Sequence, residues 1–197
     1  SSSKRVFDVL ASVIGLVATS PVLLITAVAV YLTDRGPVLF RQTRVGRDGR
    51  TFTMLKFRSM VLDAESRLKE LQGGNNTNTV MFKLKKDPRV TRVGGLIRRY
   101  SIDELPQLIN IIKGDMSLIG PRPPLPREVE RYSEEEMRRL RVRPGLTGLW
   151  QVSGRSNLSW EETVRLDLYY IDNWSPLQDL AILARTIHAV VASRGAY

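Results

Sequence analysis

Two adjacent carboxylates, Asp103 and Glu104, stand in the run Arg98-Arg99-Tyr100-Ser101-Ile102-Asp103-Glu104-Leu105-Pro106. The chain around them carries 30 Lys and Arg against 20 Asp and Glu, a formal net charge of +10. A carboxylate pair in so basic a setting suits a divalent cation and an anionic substrate. A plainer description fits the same residues. Ser101 with Glu104 three positions later is a capping box, and acids in a first turn favour the helix dipole. The pair by itself does not separate the two readings; its neighbours in the chain do.

Three further segments carry chemistry. In Lys56-Phe57-Arg58-Ser59-Met60, two cations spaced by two lie on one side of an extended chain. They can both face a pyrophosphate, or they can form an ordinary solvated strand face. Pro121-Arg122-Pro123 holds an arginine in extended backbone, which reduces the entropy lost when its planar fork grips a phosphate; a rigid surface turn is the alternative. The segment from Arg143 to Arg155 mixes glycines with Trp150 and two arginines, and glycine lets backbone approach a ligand closely. Asp167 to Trp174 adds acids and aromatics that can frame a nucleobase or simply pack. There is no cysteine, so thiolate metal sites and thiol nucleophiles are excluded. The sole histidine, His188, lies in a mostly apolar helical run and reads as a packed helix residue rather than a general base. No GxGxxG or Walker-type loop occurs, and no nucleic-acid-binding motif accompanies the positive charge.

These residues need elements to hold them. With 197 residues and 43% hydrophobic content, the chain can build one ordinary core. Val6 to Leu32 is strongly apolar, with Asp8 its only charge. A signal peptide is a poor description, because the run is long and lacks a small-residue cleavage site. An unbroken helix of this length would reach about 40 Å, enough for a hydrocarbon core of roughly 30 Å. Ser20-Pro21 interrupts it, and a proline removes a backbone donor and clashes with the preceding turn. Each half would then be about 16–20 Å long, too short to cross. Lys4 and Arg5 precede the segment, and Arg35, Arg41, Arg44, Arg47 and Arg50 follow it. Positive charge on both flanks is what a segment with both ends in the cytoplasm shows. A re-entrant hairpin over 1–35 accounts for this; a kinked spanning helix is the competing description.

Beyond it, Val38 to Gln42 and Thr51 to Leu55 are expected to pair as a short hairpin across the turn Arg47-Asp48-Gly49-Arg50. Met60 to Leu71 has helical spacing, and Gln72 to Thr79 reads as a loop. Asp103 to Lys113 is expected to be helical, with Pro106 near its start. Pro121 to Pro126 must be extended. Ser133 with Glu136 caps a short helix to about Leu140, and Ser175-Pro176 opens a final helix. The fold class expected is α+β and mostly helical: a re-entrant helix-break-helix, then a small cytosolic region over 36–197 with a short β-hairpin and amphipathic surface helices.

Taken in order, the Ser20-Pro21 break, Lys56 to Met60, Asp103-Glu104-Leu105-Pro106-Gln107, Lys113-Gly114-Asp115-Met116-Ser117, Gly120-Pro121-Arg122-Pro123 and Arg143-Pro144-Gly145-Leu146-Thr147-Gly148 closely resemble the polyprenyl-phosphate phosphoglycosyl transferases of the bacterial sugar transferase family. Each motif is weak alone; the ordered set is specific and spans essentially the whole chain. The resemblance implies a monotopic enzyme on the cytoplasmic face of the bacterial inner membrane. It implies transfer of a sugar 1-phosphate from a UDP-sugar to polyprenyl (undecaprenyl) phosphate with Mg²⁺, releasing UMP, as the first membrane step of a polysaccharide or glycoconjugate. On that resemblance Asp103 becomes the nucleophile that carries the phosphosugar, and Glu104, with Asp103, holds the metal. Lys56, Arg58, Arg98, Arg122, Arg155 and Asp167 match positions around the phosphates and nucleotide. The helix start is expected to keep Asp103 ionised. The Trp150 to Arg155 variant and the Arg194 to Tyr197 ending resemble larger members, whose donors are commonly UDP-hexoses such as UDP-glucose or UDP-galactose, and suggest a catalytic portion of a longer protein. Membrane lipids are expected as contacts, a homodimer is one assembly open to the chain, and nucleic acid is not expected. The rival reading is a membrane-anchored, metal-dependent phosphohydrolase acting on nucleotide-sugars. Nothing in the sequence fixes the sugar or the pathway.

Overall fold

The computed structural model describes residues 2–64, 66–67, 87–154 and 158–192. Its longest element, α1 (Ser2–Asp34), has an 18-residue window of mean hydropathy 2.4 of which 11% is buried. It is therefore long and apolar enough to cross a membrane by length and composition. Helical backbone runs through Pro21 without interruption, where two separate helices were expected. The local reason lies in Ser20. Pro21 has no N–H to meet the carbonyl of Val17, and the Ser20 hydroxyl donates to that carbonyl at 2.8 Å instead.

The two halves of α1 differ in what they grip. At the first half, Lys4 donates to Asp179 at 2.5 Å, and Arg5 donates to the carbonyls of Ile111 and Ile112, the latter at 2.9 Å. Those carbonyls lie in the last turn of the helix α3 (Gln107–Lys113), where the helix dipole favours a cation; the Ile111 carbonyl also accepts from the Gly114 N–H at 3.0 Å. Asp8, the lone charge in the apolar run, is buried and accepts from the Ser117 hydroxyl at 2.7 Å and the Leu118 N–H at 3.2 Å. At the second half, Val30 packs with Phe57 and Ile97, and Asp34 pairs with Arg58. Between these anchors, Leu10, Ile14, Val17, Leu24, Ile25 and Leu32 stay exposed.

The hairpin forms as expected with longer strands: the first starts at Leu39 and runs three residues past Gln42, and the second runs two residues past Leu55. Strands β1 (Leu39–Val45) and β2 (Thr51–Phe57) are antiparallel, with Leu39 opposite Phe57 and Val45 opposite Thr51. The connecting turn, Arg47–Gly49, places Asp48 at φ 58° and Gly49 at φ 77°, the conformations that Asp and Gly tolerate best. Of the segment Met60 to Leu71, Met60 bridges to Val90, Leu62 and Asp63 form a turn, and Ala64, Ser66 and Arg67 are helical; residue 65, residues 68–71 and the expected Gln72 to Thr79 loop lie outside the described residues.

Helix α2 (Arg92–Arg99) is capped by Thr91, whose hydroxyl accepts from the Gly94 N–H. Gly94 is obligatory: a Cβ there would lie 1.9 Å from the Ser59 carbonyl oxygen, so only glycine lets α2 close on the exit of β2. Asn110 of α3 closes the other side of the hairpin. Its amide accepts from the Leu55 N–H at 3.0 Å and donates to the Thr53 carbonyl at 2.8 Å, standing in for a third strand along β2.

The glycines of the Arg143 to Gly148 segment serve backbone packing. Strand β3 (Ser117–Ile119) pairs in parallel with β4 (Gly145–Thr147), and a Cβ on Gly145 would lie 2.2 Å from the Gly120 nitrogen. Short helices α4 (Pro126–Val129) and α5 (Glu134–Met137) follow the proline loop. Ser133 and Glu136 form the capping box as expected, but the helix gives way to a 3₁₀ turn, Arg138–Arg141, instead of continuing to Leu140 as one helix. Helices α6 (Leu149–Ser153), α7 (Trp160–Asp172) and α8 (Pro176–Val191) complete the chain, the last with Ser175 as N-cap and Pro176 at its first position. His188 sits on α8 but faces solvent, not the core. The main core gathers Met54, Leu108, Ile111, Met116, Ile119, Tyr170 and Ile182; a smaller one joins Val30, Phe57 and Ile97.

Candidate active site

Asp103 and Glu104 lie on a 3₁₀ turn, Ile102–Glu104, between α2 and α3. The expected capping box is not formed. Ser101 adopts a left-handed conformation, φ 54° and ψ 22°, and its side chain makes no cap hydrogen bond. A serine held there costs on the order of 1–2 kcal/mol, and the helix proper begins only after Pro106. The plain capping explanation for the pair therefore fails on geometry. The turn aims Glu104 at the hairpin, where its carboxylate accepts from Lys56 Nζ at 2.9 Å.

Asp103 is 9% exposed. Burial pushes its carboxyl up to about 6, and the neighbouring Glu104 adds to this; Lys56 and Arg98 pull in the opposite direction. A carboxyl at about 6 is still mostly ionised near neutral pH, and the charges that favour its anion are those of Lys56 and Arg98, the turn being a single 3₁₀ turn and not a helix start. A cation beside the pair would relieve both causes of that rise. Among the described residues no group of three or more His, Asp or Glu gathers as a metal site. Two carboxylates suffice for Mg²⁺, which keeps several waters and takes its remaining ligands from substrate phosphates. The donor set fits Mg²⁺ on that basis.

Arg122 approaches from the proline loop. The loop is docked on β1 by two bonds: Arg44 Nη1 donates to the Pro123 carbonyl and the Val45 N–H donates to the Pro124 carbonyl, both at 2.9 Å. Arg122 lies 3.6 Å from Glu128. Arg44 is buried, and its guanidinium is lowered to about 10 by burial and by Arg122, with Glu128 and Glu104 resisting. Arg44, Arg122 and Glu104 thus share one electrostatic neighbourhood.

The structure brings Asp103, Glu104, Lys56 and Arg98 together, and Arg122 is connected to them through Arg44, which senses both Arg122 and Glu104. Two residues read as substrate contacts sit differently. Arg58 is engaged by both oxygens of Asp34 and by the Pro37 carbonyl, so it fastens the end of α1. Asp167 is buried against Arg139, whose Nη2 is 2.7 Å away and whose guanidinium stacks on Trp160 and Tyr132. Arg155 lies outside the described residues. Residues that sequence reasoning passed over are Arg44, Asn110, Arg139 and Asp179.

A model of the family described as bacterial sugar transferase matches residues 1–193. The chain is 47% identical over 200 residues to a galactosyl transferase, CpsE, of Streptococcus agalactiae serotype III, covering 98% of this chain and 43% of the relative. It is 46% identical over 199 residues to the exopolysaccharide production protein ExoY of Sinorhizobium fredii, covering 99% and 88%. It is 44% identical over 198 residues to the undecaprenyl-phosphate galactose phosphotransferase of Salmonella typhimurium, covering 98% and 41%. The chain thus spans less than half of two of these relatives and most of the third.

Proposed function

Because the chain belongs to the bacterial sugar transferase family, we propose that it transfers a sugar 1-phosphate from a UDP-hexose to polyprenyl phosphate through an ester on Asp103. The observation that carries this reading is the buried Asp103, presented by a left-handed Ser101 beside Glu104, Lys56 and Arg98. In the first step an Asp103 carboxylate oxygen attacks the β-phosphorus of the donor. The bond from that phosphorus to the bridging oxygen breaks, and UMP departs with the electron pair. In the second step a phosphate oxygen of the acceptor attacks the same phosphorus and returns Asp103 to its carboxylate form. One site can then serve a water-soluble donor and a lipid acceptor in turn.

Each residue has a task. Asp103 must lose its proton before attack, and Lys56 and Arg98 favour that loss. Lys56 also holds Glu104 in place. Arg122, on a loop fixed by Arg44, meets phosphate oxygens with a planar fork. Mg²⁺, held by Asp103 and Glu104, would neutralise charge on the pyrophosphate.

We further infer that α1 enters one leaflet and that the catalytic region lies on the cytoplasmic face of the inner membrane. In support, Lys4, Arg5 and Asp8 at one end and Val30 and Asp34 at the other grip the same folded body, while the apolar face between them stays open. A helix that spanned would carry one end away from that body.

The test is UMP release from a panel of UDP-hexoses with and without polyprenyl phosphate. Sustained release only with acceptor, and formation of the polyprenyl-diphosphate-sugar, are expected. Steady UMP and free sugar phosphate without acceptor would replace this reading by phosphohydrolysis.

A further inference from the structure

An apolar groove of about 560 Å³ lies against the first residues of β1, lined by Pro37, Val38, Leu39, Phe40, Arg41 and Arg58. The hairpin has two edges. Asn110 covers the β2 edge, and the Val45 to Pro124 bond meets the far end of β1. The groove occupies the part of the β1 edge that neither reaches. Its shape is set by the Arg58 clamp on Asp34 and Pro37, which turns the chain sharply from α1 into the strand.

Two relations suggest what belongs there. The first is continuity. The exposed apolar face of α1 runs to Tyr31 and Leu32, and the groove begins five residues later with Pro37. The second is register. Phe40, 41% exposed, stands directly opposite Lys56. Paired residues point to the same face, with Cβ atoms about 5 Å apart. Lys56 in turn contacts Glu104 at 2.9 Å, next to Asp103. An apolar surface therefore leads from the lipid-facing helix to within one lysine side chain of the carboxylate pair. At the rim, Arg41 is exposed and has no carboxylate partner among the described residues. Apolar lining that ends in cations beside a phosphoryl-transfer site matches an isoprenoid chain bearing a terminal phosphate.

Resting on the proposed polyprenyl phosphate acceptor, we propose that this groove receives the phosphate-proximal isoprene units of that acceptor. Phe40 contacts the hydrocarbon, and Lys56, on the same face of the hairpin, meets the phosphate as it approaches Asp103. The chain beyond the groove continues along α1 into the leaflet. The groove is then a subsite of the second step alone.

The test compares the parent chain with Phe40→Ala and Phe40→Leu, using a long polyprenyl phosphate in phospholipid nanodiscs and a short-chain isoprenyl phosphate in detergent. Phe40 is part-exposed, so its truncation leaves the core intact. Phe40→Ala is expected to raise the acceptor KM about tenfold with both acceptors, and Phe40→Leu to restore most of it. The amount of phosphosugar adduct formed from donor alone should match the parent. An unchanged acceptor KM in Phe40→Ala overturns the proposal. An effect seen only in nanodiscs assigns the groove to a phospholipid acyl chain and overturns it too. A shift in sedimentation without a KM change assigns the open strand edge to a second copy, with the same consequence. If the parent itself forms no adduct and shows no acceptor dependence, the proposed activity falls rather than the subsite.

Discussion

Replacing Asp103 by asparagine should stop turnover and stabilise the fold at the same time. The carboxyl is held at about 6 against an ordinary value of 3.8, chiefly by burial. The folded chain binds this proton more tightly than the unfolded chain. The group's contribution to stability is therefore fully present below about pH 4 and is lost as pH rises through about 6. That difference corresponds to about 3 kcal/mol. Asparagine is nearly isosteric and never ionises, so it should remove this pH dependence. For a chain of this size about 3 kcal/mol moves Tm by roughly 6 to 12 °C. The assay is thermal unfolding of parent and Asp103→Asn in the same detergent at pH 4.5 and pH 8, without and with Mg²⁺. The variant should melt higher than the parent at pH 8, and the gap should shrink to about a third at pH 4.5. Mg²⁺ should raise the parent at pH 8 and leave the variant little changed. Equal melting of the two proteins at pH 8, or a lower value for the variant, would show that Asp103 is not the destabilised anion the geometry describes.

Glu104→Gln should weaken the dependence of rate on Mg²⁺ together with the rate itself; an unchanged Mg²⁺ titration would leave Glu104 as only the partner of Lys56. Arg139→Met strands Asp167 in the core and should cost about 3–5 kcal/mol, whereas the double change Arg139→Met with Asp167→Leu should cost less, as measured by Tm. If the double variant is as unstable as the single one, the pair is not the main role of Asp167. For the membrane, single cysteines at Ser2 and in the Gln72 to Thr79 loop should both resist an impermeant thiol reagent in sealed spheroplasts, against a chain with no cysteine of its own. Labelling at Ser2 alone would mean that α1 spans.

Local signals in the sequence predicted local structure well. The turn Arg47 to Arg50 announced the hairpin, Ser133 with Glu136 the capping box, and Ser175-Pro176 the last helix. Each depends on neighbours within a few residues, which is where propensity and capping act. The ordered motifs located the carboxylate pair and the lysine facing it. What stayed hidden was the choice of partners across long separations. Asp8 reaches Ser117, Lys4 reaches Asp179, Arg139 reaches Asp167 and Arg44 reaches Pro123, and no spacing rule encodes those pairs. Arg58 shows the cost of that blindness: strand parity put it on the face of Lys56, but Asp34 claims its guanidinium. Ser101 misled for the opposite reason. Its motif was right for a cap, and the tertiary turn that presents Asp103 overrode it. Pro21 was read correctly as a missing donor, but the Ser20 hydroxyl fills the gap and the helical backbone continues.

The central claim is that Asp103 becomes covalently loaded with the donor's phosphosugar before any acceptor is present. Intact-mass measurement of the protein after incubation with UDP-hexose and Mg²⁺ alone tests it most directly. The parent chain should gain the mass of one hexose phosphate, the adduct should map to Asp103 and discharge on addition of polyprenyl phosphate, and Asp103→Asn should gain nothing. A parent protein that turns over donor and acceptor with no adduct at any time, or an Asp103→Asn variant that keeps full activity, would contradict the account.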